Sequence, residues 1–228
     1  MDVIIVSKTR MSNASCVGGV LANGRFVRLL DKYGYNQDIN TPLNIGDVWT
    51  IDFSELKEKK PPHIEDILIK HMTFKFSFET HKKMIKYLTE KLNVKIWKGG
   101  PNVLFDGKLY WTNGGSGYIS ERGGIPDNSV GFWMPDKTLI RNDYERKVRY
   151  TYQQPTPFGI VNRNITFVGY QEPVNRIPAG TLLRVSLARW WAPNDEVEKR
   201  CYLQLSGWYD LPASKPPMDN DIDIDLPF

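Results

Sequence analysis

The stretch CVGGVLANGRFVRLL, Cys16 to Leu30, decides how the chain reads. Asn23-Gly24 sits between two apolar runs, and an Asn-Gly pair supplies the left-handed backbone of a tight hairpin turn, so the stretch predicts two antiparallel strands. Upstream, VIIVSK (Val3 to Lys8) is a short apolar strand. Downstream come GDVWTIDF and ILIKHMTFKFSF, and in the latter Phe74, Phe76 and Phe78 alternate with Thr73, Lys75 and Ser77, predicting a half-buried strand. Some five strands in the first third of the chain is the content of a small closed barrel.

A helix is predicted next. In ETHKKMIKYLTEKLN, Met84, Ile85, Leu88 and Leu92 share one face, Thr80 is a candidate N-cap and Asn93 a stop. Lys98 to Asn128 is rich in Gly, Pro and Asn and reads as a connecting loop with a short hairpin at most. The remainder is β again: SVGFWMP, YERKVRYTYQ, NRNITFVGYQ, GTLLRVSLARWW and KRCYLQLSGWYD are separated by turn residues. The pattern divides into residues 1–97, a first barrel with its helix; 98–128, a Gly-rich connector; 129–211, a second barrel; and 212–228, a linker and acidic tail. A single large β domain is the other arrangement consistent with it, since the halves show no residue-level repeat.

With 228 residues, 41% hydrophobic and 12% aromatic, the chain can bury a core without covalent staples. Cys16 and Cys201 lie far apart in no ligand-like spacing, which predicts buried thiols in a reducing compartment. MDVIIVSKTR has an apolar run of four residues, too short for a secretory signal, and no later stretch reaches a membrane span. The expected location is cytoplasmic. From Lys215 onward one Lys faces Asp219, Asp221, Asp223 and Asp225, a net −3, which leaves the body with 29 Lys+Arg against 22 Asp+Glu, a net +7. A basic body suits a polyanion.

Catalytic patterns are weak. His63, His71 and His81 have no metal-ligand spacing and read as surface or structural residues. TNGGSGYISERGG (Thr112 to Gly124) lacks the Gly-Lys-Ser/Thr ending of a phosphate loop. Neither metal nor cofactor is expected, and the chain reads as a non-enzyme. Binding chemistry is better represented, because basic and aromatic residues interleave in the second half: Arg146, Lys147 and Arg149 with Tyr150 and Tyr152, Arg163 with Phe167 and Tyr170, and Arg184 and Arg189 beside Trp190 and Trp191. Cations track phosphates while rings stack on bases, the chemistry that holds single-stranded nucleic acid. Strand alternation puts Val148, Tyr150 and Tyr152 on one face, which would turn the tyrosines inward. Trp190 and Trp191 are adjacent, so both rings cannot enter one core.

These residues resemble a known bacterial family. IIVSKTRMSNASCVGGVLANGRFVRLL (Ile4 to Leu30) is similar to the opening of the dual OB-fold domain family, in which a strand, a Cys-Val/Ile-Ala/Gly-Gly turn and a Gly-Arg/Lys-aromatic-Val-Arg strand follow in that order. SVGFWMP and LLRVSLARWW...CYLQLSGWYD stand where that family has second-barrel strands. The resemblance implies a mainly β fold of two OB-like barrels in tandem, joined by the helix and the Gly-rich connector, and nucleic-acid binding.

The tail resembles a second group. PPMDNDIDIDLPF (Pro216 to Phe228) is similar to the C-terminal tip of bacterial single-stranded DNA-binding proteins, which recruits repair helicases, recombination mediators and primosomal proteins. By that resemblance Phe228 would enter an apolar pocket, its carboxylate would meet a partner Arg, and Asp221, Asp223 and Asp225 would steer toward a basic rim, with Leu226 and Pro227 completing the contact. Ile222 and Ile224 depart from the usual acidic residues, Leu226 replaces Ile, and alternation of Asp with aliphatics would also allow the tail to add as a strand to its own body. The expectation is a protein that binds single-stranded DNA, or RNA, and recruits genome-maintenance proteins. An adaptor or decoy that binds partners without DNA is the second reading, and a nuclease or RNA-directed module the third.

Overall fold

The computed structural model describes residues 1–211; the tail residues Asp221, Asp223, Asp225, Leu226, Pro227 and Phe228 lie outside them. β1 (Asp2–Met11), β2 (Ala14–Leu21), β3 (Phe26–Leu30), the two-residue β4 (Gln37–Asp38), β5 (Asp47–Glu55) and β6 (Asp66–Ser77) form one sheet. Its hydrogen bonds run β1-β2-β3-β6-β5 and return to β1, closing a five-stranded barrel. β3 and β6 are parallel, and the other neighbours in the ring are antiparallel.

The opening stretch accounts for the closure. Gly24 turns the β2–β3 hairpin at φ +84°, a conformation L side chains rarely adopt. Gly19 lets β1 approach, since a Cβ there would come within 2.5 Å of Val3 Cγ2. On β1, Val3 and Ile5 enter this barrel's core, whereas Ile4 and Val6 face outward into a second buried layer. A strand buried on both faces is apolar without interruption, and Val3-Ile4-Ile5-Val6 has that pattern.

β6 differs from the half-buried strand predicted for it. Asp66 to Leu68 pair with β3, but from Ile69 to Ser77 the strand has left β3 and pairs only with β5. Phe74 and Phe76 are consequently 50% and 47% exposed despite their alternation.

α1 (His81–Glu90) follows, with the Thr80 hydroxyl accepting the Lys83 N–H at 3.2 Å, the N-cap predicted for it. It buries Met84 and Leu88 in the layer that also holds Ile4, Val6, Phe132, Leu182 and Tyr209. That layer lies between the barrels, and the Tyr209 hydroxyl donates across it to the Val6 carbonyl.

The second sheet contains β7 (Ile96–Lys98), β8 (Tyr110–Trp111), β9 (Gly117–Ser120), β10 (Val130–Met134), β11 (Leu139–Arg141), β12 (Arg149–Thr156), β13 (Gly159–Phe167), β14 (Arg176–Ile177), β15 (Leu182–Leu187) and β16 (Arg200–Tyr209). Its central order is β11-β12-β13-β16-β15-β10. β10 and β11 act as two halves of one strand interrupted at Pro135, so the order repeats that of the first barrel, with β13 and β16 parallel as β3 and β6 are. Trp133, Tyr150, Tyr152, Ile165, Leu183, Val185 and Leu205 fill the core. The chain is thus mainly β, a closed five-stranded barrel followed by a large sheet of the same strand order.

Candidate nucleic-acid interface

Small barrels of this order bind oligonucleotides across strands 2 and 3 and the loops joining strands 1 to 2 and 4 to 5. In the second barrel these are β12, β13 and the segments 142–148 and 188–199. The candidate residues other than Arg184 fall on these four elements, with different degrees of freedom.

Arg146 and Lys147 are exposed. They sit at a two-residue turn in which Tyr144 and Lys147 exchange backbone hydrogen bonds of 3.0 Å. Glu145 (φ +49°) and Arg146 (φ +61°) are both left-handed, the geometry of a type I′ hairpin. Arg149 holds its guanidinium 5.0 Å from the Tyr144 ring. Arg163 lies 4.5 Å over the Trp111 ring and donates to Gln154 Oε1 at 2.7 Å; burial draws its pKa down. Tyr150 and Tyr152 point inward, as the alternation implies, and their hydroxyls donate to the Val174 carbonyl and to Asp136.

Arg184 is a correction. It is 2% exposed, because β15 turns Leu183 and Val185 into the second core and thereby points Leu182 and Arg184 toward the first barrel. It takes no part in the outer surface of the second barrel. Trp190 is half-buried: its ring packs against the second core and its Nε1–H donates to the Pro61 carbonyl at 2.7 Å. Arg189 reaches Asp66 of the first barrel at 2.8 Å. Both residues therefore tie the 188–199 loop to the first barrel, and Trp191, 57% exposed, is the free ring of the pair.

The Gly-rich segment contributes residues that sequence reasoning missed. β8 and β9 form a hairpin, and β9 pairs with the start of β16, where β13 pairs only with Gln204 and Leu205. Tyr110, Tyr118 and Tyr202 are aligned across the three strands. Their ring centroids are 5.9 and 6.1 Å apart, and Trp191 extends the row at 6.4 Å from Tyr202. Arg200 lies 4.2 Å over the Tyr118 ring, and Tyr110 is 46% exposed. Gly123 makes room for the row, since a Cβ there would sit 1.9 Å from Tyr110 Cε2. The signal was the alternation in KLYW and GYIS, each too short to be told from loop by periodicity, beside the strand that carries CYLQ.

Other groups are structural. Cys201 is buried, which pushes its thiol pKa up to about 12, and Cys16 is raised by the same cause. His63 is buried with Nε2 3.2 Å from the Leu187 carbonyl. Among the described residues no group of three His, Cys, Asp or Glu side chains is placed to hold a metal. No described helix is long and apolar enough to cross a membrane.

The repeated strand order matches the family comparison: the sequence model described as the dual OB-containing domain aligns with residues 1–208. The chain belongs to this dual OB family. No curated protein matches it. Among solved structures, one described as "Structural mimicry for functional antagonism" is 11% identical with a TM-score of 0.35, with 91% of each chain covered. A murine DNA-binding protein bound to double-stranded DNA is 10% identical with a TM-score of 0.32, covering 96% of this chain and 98% of its own. The p204 HINb domain is 11% identical with a TM-score of 0.31, covering 90% of this chain and 95% of its own.

Proposed function

We propose that this dual OB protein is a non-enzymatic binder of single-stranded nucleic acid, DNA in the first instance, and that the strand lies on the second barrel. The observation that carries the reading is the row Tyr110, Tyr118, Tyr202 and Trp191 with Arg200 over one ring. Flat rings in series accept successive bases whatever their identity, and a guanidinium among them adds a cation for the backbone. Arg146 and Lys147 supply exposed charge on the loop joining the first two strands. Arg149 and Arg163 add half-buried cations on the strands themselves.

In the same reading Asp221 to Phe228 form an acidic, apolar-tipped peptide that recruits genome-maintenance proteins, and it competes with nucleic acid for the basic body when none is bound. A labelled oligo-dT titrated with the full chain and with a version lacking residues 218–228, across a salt series, tests both parts. Binding that weakens steeply with salt and tightens without the tail is expected. Absence of binding in both versions would refute nucleic-acid recognition.

That outcome would favour the second reading, an adaptor of a defence or mobile-element system that engages partners without DNA. One feature supports it: the β12–β13 turn projects Phe158, 100% exposed, beside Ile160 at 69%. Neighbouring exposed apolar side chains of this kind suit a protein groove.

A further inference from the structure

The side of β15 facing the first barrel carries a charge that neither core uses. Arg184 is 2% exposed. Its guanidinium carbon lies 4.8 Å from the Phe26 ring centre and 5.0 Å from that of Phe132, and its Nη1 has no hydrogen-bond partner among the described residues. Glu65 is the carboxylate whose charge reaches it, but no carboxylate among the described residues pairs with it directly, and a buried guanidinium without such a partner is unfavourable.

The nearby carboxylates are committed elsewhere. Glu65 accepts from the Ser129 N–H at 2.6 Å and the Ser129 hydroxyl at 2.9 Å. Asp66 Oδ2 accepts from Arg28 at 2.5 Å and from Arg189 at 2.8 Å. Burial also raises the Glu65 pKa, which weakens it as a counter-charge. Arg28 in turn has a buried Nε without a partner among the described residues.

Arg184 borders a cavity of about 260 Å³ between the barrels, lined also by Ser7, by Gln204, by Ser186 and Ser206, whose hydroxyls pair at 2.8 Å, and by the already bonded carboxylates of Glu65 and Asp66. At about 30 Å³ per water the space equals roughly eight or nine waters, enough for a phosphate group with a pentose. Its mouth reaches solvent beside Met11, 42% exposed, and Arg189, whose side chain is 47% exposed. Gly18 keeps the wall open, since a Cβ there would lie 2.4 Å from Ser7 Oγ and 3.7 Å from Arg184 Nη2.

We propose that this inter-barrel cavity binds a phosphate monoester, with Arg184 and Arg28 as its anion-binding groups and the serine hydroxyls as further donors. Guanidinium forks match the oxygens of a phosphate, and surplus donors around one small volume suit an anion with several acceptors. The ester is a free mononucleotide-like molecule or the phosphorylated end of a strand. The site goes beyond the surface reading above and does not depend on it.

The full chain is titrated calorimetrically at fixed ionic strength with inorganic phosphate, AMP, 5′-phosphorylated oligo-dT and its 5′-hydroxyl counterpart, and each mixture is melted. Saturable one-site binding of AMP or of inorganic phosphate, with a raised Tm, is expected. Arg184→Met should weaken it at least tenfold while leaving binding of the 5′-hydroxyl oligonucleotide unchanged. Ala188→Glu, which places a carboxylate at the rim of the cavity, should abolish it and serves where Arg184→Met fails to fold. A gain from the 5′-phosphate that Arg184→Met removes assigns the site to strand ends; AMP binding without that gain assigns it to a free ester. No saturable binding of any phosphorylated probe, or binding unchanged in both variants, would overturn the proposal and leave a hydrated cavity. Loss of 5′-hydroxyl oligonucleotide binding alone bears only on the surface reading.

Discussion

Trp190 and Trp191, neighbours in the chain, serve opposite sides of one loop. Trp190 donates its Nε1–H to the Pro61 carbonyl at 2.7 Å and packs against the second core, while Trp191 stands 57% exposed, 6.4 Å from the Tyr202 ring. The two alanine substitutions should therefore separate binding from stability. Trp191→Ala should weaken oligo-dT binding roughly five- to a hundredfold, the range for losing one stacked base, at an unchanged Tm. Trp190→Ala should lower unfolding free energy by about 2 kcal/mol or more in urea melts, through lost packing and a lost hydrogen bond.

Gly123 and Tyr110 should behave as one unit. A Cβ at position 123 would lie 1.9 Å from the Tyr110 ring, so Gly123→Ala must displace the ring from the row. Each single substitution, Gly123→Ala and Tyr110→Ala, should weaken oligonucleotide binding, and the double variant should be no weaker than Tyr110→Ala alone. Additive losses in that cycle would separate the glycine from the ring.

Arg146 and Lys147 are exposed on a turn whose central residues are both left-handed. Replacing either cation by Ala should lower the slope of log K against log salt by about 1, as for one phosphate contact. The paired change Glu145→Asn with Arg146→Gly relieves the turn, since left-handed backbone costs an ordinary residue about 1 kcal/mol. Thermal melts should show this variant more stable while anisotropy shows it binding less tightly.

His63 sets a pH dependence with a definite sign. Burial, with a smaller contribution from Arg28, pushes its pKa below 6.5, against the opposing pull of the Leu187 carbonyl and Asp66. The unfolded chain binds the proton more readily, so this contribution is present above pH 6.5 and is lost as pH falls through the lowered native value. Glu65 acts oppositely: burial raises its pKa from 4.5, so stability declines as pH rises from that value. Urea melts of the wild type and of His63→Gln, which keeps a donor for Leu187, should converge as the pH is lowered below 6.5. Curves that stay parallel would contradict a neutral buried imidazole.

The first barrel was legible because its determinants are local. Asn23-Gly24 fixes a hairpin, and the apolar run Val3 to Val6 marks a strand covered on both faces. The Thr80 cap is equally local. Burial on the far half of β6 was not legible, because Phe74 and Phe76 alternate correctly on a strand that outruns β3 and keeps only β5 beside it. The burial of Arg184 and the anchoring of Trp190 were not legible for a shared reason: composition shows that cations and rings are neighbours in sequence, but which side of β15 meets the other barrel depends on contacts more than a hundred residues apart. The aromatic row was hidden because two of the three strands that supply its tyrosines are short and lie inside a glycine-rich segment whose glycines make room for rings.

The most direct test is fluorescence anisotropy of labelled oligo-dT with the full chain and with the variant Tyr118→Ala, Tyr202→Ala, Trp191→Ala, each at two salt concentrations and with melting curves recorded alongside. The aromatic row as a single-strand platform predicts salt-sensitive binding by the wild type and a loss of at least a hundredfold in the variant at a closely similar Tm. Wild-type affinity retained in a folded variant, or no binding by the wild type at low salt, would contradict it.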